Sequence, residues 1–233
     1  MSESIRSQLF RVIDVETTGL DRRSDGIVDL AWALMRGDGQ VLSIDSTLIN
    51  PGRPIPVESS AVHNIYDRDV EGAPSLDEAV SQYEDLRTSV AYTVCHNASF
   101  DSAFLQRSRQ FISNNPGFLC TLRLAENLIP GSKSYKLEHL VTQLDLAPLA
   151  DAPLHSARGD VAVTCSLLKY LIDLYLSSNN KDNIEGLQAM ATIQRMPFGK
   201  HKGMLLPDIP GDYVDWLLSL DDIDDDLRGA LRR

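Results

Sequence analysis

Two acids one residue apart, Asp14 and Glu16, interrupt an apolar run from Leu9 to Val15. Such a run reads as a buried strand. Alternate residues of a strand share a face, so both carboxylates point the same way near its C-terminal end. Thr17, Thr18 and Gly19 then break the strand. Two carboxylates side by side repel by roughly 4 kcal/mol at about 4 Å and an effective dielectric near 20. A fold that keeps such a pair holds a cation between them or leaves one acid protonated. Asp101 and Asp160 belong with them. Asp101 falls in the first turn of a helix that Ser99 can cap, directly after a short strand, Ala91 to Cys95. Asp160 lies beside the stripe Val161, Cys165, Leu168, Leu171, Ile172 and Tyr175, so it faces the sheet rather than water. His155 stands five residues before Asp160. Five helical residues turn through about 140°, so His155 is placed in the loop ahead of the helix, able to swing toward Asp160. Oxygen-only donors suit Mg²⁺ or Mn²⁺ rather than zinc. Two such cations about 4 Å apart clamp the attacking and leaving oxygens of a phosphodiester. His155, with an ordinary pKa of about 6.5, suits removal of the proton from the attacking water. No GxSxG or P-loop pattern offers another chemistry.

The elements that must position these groups read as alternating strands and helices. After the first strand, Ile27 to Met35 is apolar and rich in β-formers, Gly37-Asp38-Gly39 signals a hairpin, and Val41 to Ile49 returns. These form a three-stranded antiparallel meander. A short helix is expected over Glu58–Asn64, with His63 at its end, and an amphipathic helix over Leu76–Leu86. Phe118 to Leu122 is a fifth strand, and helices follow around 122–128 and 136–144. The expected class is α/β, a mixed five-stranded sheet flanked by helices. The main domain runs over 8–176, a polar linker over 177–195, and a small segment over 196–233. That segment opens with a Gly-flanked basic turn, Met196 to Gly203, continues with a helix holding Trp216, and closes with a helix from Leu227 that an acidic loop, Asp221 to Asp226, caps.

The chain has 233 residues and a formal charge of −11. Two bound divalent cations would still leave −7, so contact with a polyanion must be local and salt-sensitive. No apolar run suggests a transmembrane span or a signal peptide. Cys95, Cys120 and Cys165 lie far apart among apolar neighbours, which points to buried structural thiols in a reducing cytoplasm.

Three motifs now stand in order: Asp14-Val15-Glu16-Thr17-Thr18-Gly19-Leu20, His96-Asn97-Ala98-Ser99-Phe100-Asp101, and His155-Ser156-Ala157-Arg158-Gly159-Asp160. Together they resemble the DEDD exonuclease superfamily of RNase H-like fold, in its subgroup with a catalytic histidine. The resemblance implies that Asp14, Glu16, Asp101 and Asp160 hold two metal ions, Mg²⁺ or Mn²⁺, and that His155 is the general base. It places Thr17, Thr18 and Leu20 against the 3′-terminal nucleotide, with Leu20 as an apolar wedge on its base. It brings His63, in Ala61-Val62-His63-Asn64-Ile65, close to that nucleotide, and Asn97 and Phe100 along the same site. Phe198-Gly199-Lys200-His201-Lys202-Gly203 with Tyr213-Val214-Asp215-Trp216-Leu217 resembles the C-terminal segment of a DNA-degrading branch. There Lys200 and Lys202 could hold DNA phosphates, or the turn could simply pack on the body. The implied partner is a DNA 3′ end, with DNA repair or replication proteins as further partners. The core motifs do not separate DNA from RNA. An exoribonuclease, a proofreading subunit and a non-catalytic binding module stay open beside the DNA reading. All five catalytic positions are present, which weighs against the last.

Overall fold

Residues 3–147, 156–179, 182–220, 223 and 225–232 are described by the computed structural model. Strand β1 (Leu9–Thr17), β2 (Ile27–Arg36) and β3 (Val41–Leu48) form the expected meander. Helices α1 (Val57–His63), α2 (Asp67–Val70) and α3 (Leu76–Gln82) lead to β4 (Tyr92–Cys95). Helices α4 (Ala98–Leu105) and α5 (Arg109–Ser113) lead to β5 (Phe118–Cys120). Next come α6 (Thr121–Leu128), α7 (Leu137–Gln143) and the long α8 (Ala157–Asn179), then α9 (Ile184–Met190), α10 (Gly211–Leu218) and α11 (Asp225–Leu231). The sheet order is β3-β2-β1-β4-β5, with β4 and β5 parallel to β1. This is the mixed five-stranded sheet that the pattern of runs and turns predicts.

Strand alternation decides which face carries the acids. Phe10 and Val12 pack into the larger core cluster, beside α8 residues Val161, Cys165, Leu168 and Ile172. Arg11, Ile13 and Val15 point the other way, the latter two into a second cluster with α4 and α5. Asp14 and Glu16 therefore continue the face that α8 covers. Ala31 and Ala33 of β2 register against Asp14 and Val12, and side chains this small leave room for α8 to lie close to the sheet. The helix α8 is apolar and long enough to cross a membrane by length and composition, but most of that stretch is buried against the sheet and neighbouring helices. Its apolar character belongs to the core.

Several local readings change. The helix predicted over 76–86 stops at Gln82, because Tyr83 takes an extended conformation before a 3₁₀ turn at Glu84–Leu86. Helix α4 starts two residues earlier than a Ser99 cap implies: Asn97 holds the N-cap position in a left-handed conformation, φ 69°, with no side-chain cap bond. The stretch read as a linker, 177–195, is largely ordered against the body. Asn183 caps α9 by accepting from the Gly186 N–H at 2.6 Å, and Leu187 is buried in the main core. Asn127 of α6 donates to the carbonyls of Met190 and Thr192 at 2.9 and 3.0 Å. The polar run before Ile184 hid this helix, since its apolar contact rests on few residues. The tail has a core of its own, in which Ile193, Met196, Ile209, Leu217, Ile223 and Leu227 are buried together.

Candidate active site

Four elements converge at the C-terminal end of β1. The β1–β4 pairing runs parallel from Phe10↔Tyr92 to Val12↔Val94, so the turn after β4 lies level with Asp14. That turn enters α4, which carries Asp101 in its first turn, only 3% exposed. Asp160 comes from the first turn of α8. Carboxylate oxygens of Asp14, Glu16 and Asp160 lie within 4.8 Å of one another. Asp101 stands outside that three-way set but acts on Asp14 through its charge.

The cluster is electrostatically unfavourable as bare carboxylates. Burial holds Asp14 well above the usual carboxylate range, and the charges of Asp101, Asp160, Glu16 and Asp29 raise it further. Burial likewise lifts Glu16 to about 7, with Asp160 and Asp29 adding to it. Asp101 is pushed up to about 8, mainly by burial, against the pull of backbone N–H groups that include Val15. Asp29 was not anticipated. It registers opposite Glu16 across β1 and β2, on the same face, and burial lifts it to about 6. The spacing Ile27-Val28-Asp29 could have revealed it, because an acid inside an apolar strand is the same signal that marks Asp14. An all-oxygen, anionic donor set this close suits a hard divalent cation, which would relieve the repulsion that bare side chains leave.

The loop from Thr18 to Gly26 forms one rim. Leu20 stands at its surface, 81% exposed. Asp25 holds the loop from beneath: one carboxylate oxygen accepts from the Thr18 hydroxyl at 2.9 Å, the other from the Asp21 N–H at 2.9 Å. Arg53 pairs with Asp25 at 3.1 Å, and Arg107 donates to the carbonyls of Asp25 and Arg22. Gly19 packs so closely on the Asp25 carboxylate that a Cβ there would collide with it. Thr18 is buried and spends its hydroxyl on Asp25 and on the Gly26 N–H, and Thr17 donates to the Gly19 carbonyl at 2.7 Å. Both threonine hydroxyls thus shape the rim. Ser59 of α1 donates to the Thr18 carbonyl at 2.7 Å and ties α1 to it.

His63 closes α1. Its Nδ1 accepts from the Ile65 N–H at 3.0 Å, which leaves Nε2 buried and without a partner. Burial lowers its pKa, against a pull from the Thr17 backbone. Asn97 is exposed at the head of α4, while Phe100 is half-buried and packs on Phe104, ring centroids 5.1 Å apart. His96 is fully committed: its ring nitrogens meet the Thr121 hydroxyl at 3.0 Å and the Tyr135 carbonyl at 2.9 Å. Burial takes it down to about 4, so it is a neutral structural clamp. His155 lies outside the described residues. Lys200 and Lys202 are exposed on the tail loop.

Comparison with known proteins agrees with this geometry. A family model described as an exonuclease, RNase_T, matches residues 12–168, and a second, named for a quorum-sensing-regulated virulence factor, matches 183–220. Exodeoxyribonuclease 10 of Escherichia coli K12 is 31% identical over 96% of this chain and 97% of its own length, a span that takes in the tail. A DNA polymerase III subunit epsilon-like protein of Rhodobacter capsulatus is 33% identical over 70% of this chain, which spans only 23% of that protein. Among solved structures, exonuclease X in complex with 5′ overhanging duplex DNA superposes with a TM-score of 0.62 at 30% identity, covering 78% of this chain and 99% of that one. Escherichia coli exonuclease I bound to a dT13 oligonucleotide shares the fold at a TM-score of 0.61 and 15% identity, over 81% and 47%. The acids on β1, α4 and α8 gather at one end of the sheet, and the chain belongs to the RNase_T exonuclease family.

Proposed function

We propose that this protein is a 3′→5′ exonuclease that hydrolyses DNA from its 3′ end and releases nucleoside 5′-monophosphates. The observation that carries this reading is the carboxylate trio of Asp14, Glu16 and Asp160 within 4.8 Å, in a chain alike along nearly its whole length to Exodeoxyribonuclease 10. Asp14, Glu16, Asp101 and Asp160 would hold two Mg²⁺ or Mn²⁺ ions. When bound, the ions supply Lewis acidity to the attacking water and to the leaving 3′ oxygen. The residues of the chain do the rest. His155, ahead of α8, takes the proton of the attacking water. Leu20 wedges against the terminal base, and the Asp25-braced rim keeps it there. His63 offers its unpartnered Nε2 to the terminal nucleotide, and Asn97 and Phe100 flank it. Lys200 and Lys202 hold backbone phosphates farther along the strand. Three free thiols, two of them fully buried, accord with a reducing cytoplasmic setting.

The test is a time course on 3′-labelled single-stranded DNA, duplex DNA and RNA with Mg²⁺, run beside Asp14→Asn. Mononucleotide release from DNA that stops in EDTA and in Asp14→Asn is expected. RNA cleaved faster than DNA overturns the substrate, and EDTA-resistant hydrolysis overturns the metal chemistry. Replacing Lys200 and Lys202 by Ala should lower the salt slope of DNA binding by about two.

A further inference from the structure

The tail carries a row of aromatic rings in which Tyr213 packs on the tail's own core and Trp216 stands out from it. His201 meets Tyr213 edge-on with centroids 4.6 Å apart, and Tyr213 meets Trp216 at 5.2 Å. Trp216 is nevertheless 51% exposed, and Phe198, three residues before His201, is 46% exposed. The loop that carries Phe198, Lys200, His201 and Lys202 is held rigidly. Gly203 N–H donates to the Met196 carbonyl at 2.8 Å, Met196 N–H to the Met204 carbonyl at 2.9 Å, and Arg195 to the Gly203 carbonyl at 3.0 Å. Gly199 takes a left-handed φ of 73° and sits directly on the Tyr213 hydroxyl, where a side chain would collide. Exposed rings on a fixed loop cost free energy in water unless something covers them.

We propose that this row is a base-stacking platform for single-stranded DNA upstream of the 3′ end held by the catalytic carboxylates. The inference rests on the DNA reading above and deepens it. Two observations choose the occupant. In a chain of charge −11, exposed Arg195, Lys200 and Lys202 lie on the loop beside the rings, while the acids Asp212 and Asp215 lie on α10. A strand that runs its phosphates along the loop meets these cations and lays its bases across the rings. Second, the tail abuts the catalytic helix: a cleft of about 300 Å³ is lined by Ser99 and Ser102 of α4, either side of Asp101, and by Gly229 and Ala230 of α11. The tail is thereby packed against the helix that carries Asp101. Aromatic stacking of this kind accepts any base, which suits an enzyme that must degrade every sequence.

The chain reports on its own platform. It has two tryptophans, and Trp32 is 1% exposed, so quenching by added nucleobases belongs to Trp216. Single-stranded oligothymidylate titrated in EDTA, where hydrolysis is stopped, should quench Trp216. Phe198→Ala should weaken that binding roughly tenfold or more and raise KM for long oligonucleotides by a similar factor, while turnover of a trinucleotide stays unchanged. Lys200→Ala/Lys202→Ala should weaken the same titration most at low salt. Trp216 emission that does not respond to oligothymidylate overturns the platform. So does a shift that depends on protein concentration alone, which would assign the face to a second copy of the chain. Equal loss on long and trinucleotide substrates overturns it too. Failure of the DNA reading is told apart, because the wild-type chain would then cleave no DNA of any length.

Discussion

Two residues of β1 lie between a buried charge, Arg11, and a half-buried one, Asp14, that the protein treats in opposite ways. Arg11 is fully buried, yet its guanidinium donates to the carbonyls of Asp85 at 3.2 Å and Thr88 at 2.6 Å and lies over the Phe111 ring at 5.3 Å. Only Nη1 lacks a partner. Burial lowers Arg11 to about 10, with Asp85 opposing, so it stays charged at neutral pH. Asp14 faces the other way, among Asp101, Asp160, Glu16 and Asp29, where every neighbour adds to its repulsion. The protein has solvated one charge with its own dipoles and has crowded the other. A buried charge that the fold satisfies is structural; one that it crowds with like charges is kept for a ligand of opposite sign.

Exchanging the two charges for neutral side chains should therefore give opposite results. Asp14→Asn should abolish turnover and raise the stability of the cation-free chain by about 1–3 kcal/mol at neutral pH, because it removes the most crowded carboxylate. Arg11→Ala should leave the activity of folded molecules intact and cost about 2–4 kcal/mol, from two orphaned carbonyls and lost packing. Urea unfolding paired with initial rates checks both, and an Asp14→Asn chain less stable than wild type would break the contrast. His155→Ala should slow hydrolysis about 10²- to 10⁴-fold while cation binding persists. Loss of cation affinity in that variant, read by calorimetry, would make His155 part of the cage instead.

The same contrast fixes a pH dependence. Asp29 at about 6, Glu16 at about 7 and Asp101 at about 8 bind protons in the native chain that the unfolded chain releases near pH 4, and Asp14 is raised in the same direction. The native state then holds more protons, so cation-free stability falls as pH rises from about 4 to about 8. A divalent cation displaces those protons, and its stabilisation grows over the same window. Thermal melts in EDTA and in Mg²⁺ across this range should diverge upward in pH, by at least about 2 kcal/mol. Parallel curves would mean that the carboxylates are already solvated, as Arg11 is.

The sequence made the sheet and the clustered acids legible for one reason: acids in apolar runs, turn residues and strand periodicity are local signals. Asp14, Glu16 and Asp160 meet because strand alternation and the stripe of α8 point them at one another. What stayed hidden depends on partners distant in sequence. Asp25 gave no signal beside Asp21, since only the fold brings Arg53 and Arg107 to it. Asp29 carried a local signal, an acid inside an apolar strand, but its place opposite Glu16 needs the β1–β2 register. Helix α9 looked like a linker because its polar cap, Asn183, sits in a run of similar residues. His96 and His63 could not be ranked by spacing, and the structure separates them by the partners their ring nitrogens have.

Asp25 offers the finest test of the contrast, because it is an acid close to the crowded cluster that is nonetheless solvated like Arg11. Its two oxygens accept from Thr18 and Asp21, and Arg53 neutralises it. An amide keeps the shape but has only one acceptor oxygen. Asp25→Asn therefore turns its NH₂ toward one donor and weakens the Arg53 pair. The rim should loosen, and Leu20 with it. The carboxylates on β1 are untouched, so cation affinity should stay at the wild-type value. The expected cost is about tenfold in kcat/KM, or about 1.4 kcal/mol. A 2-aminopurine at the 3′ terminus should lose the fluorescence change that a wedged base gives. Lower cation affinity with an unchanged 2-aminopurine signal would place Asp25 with the crowded acids instead of with the satisfied charges.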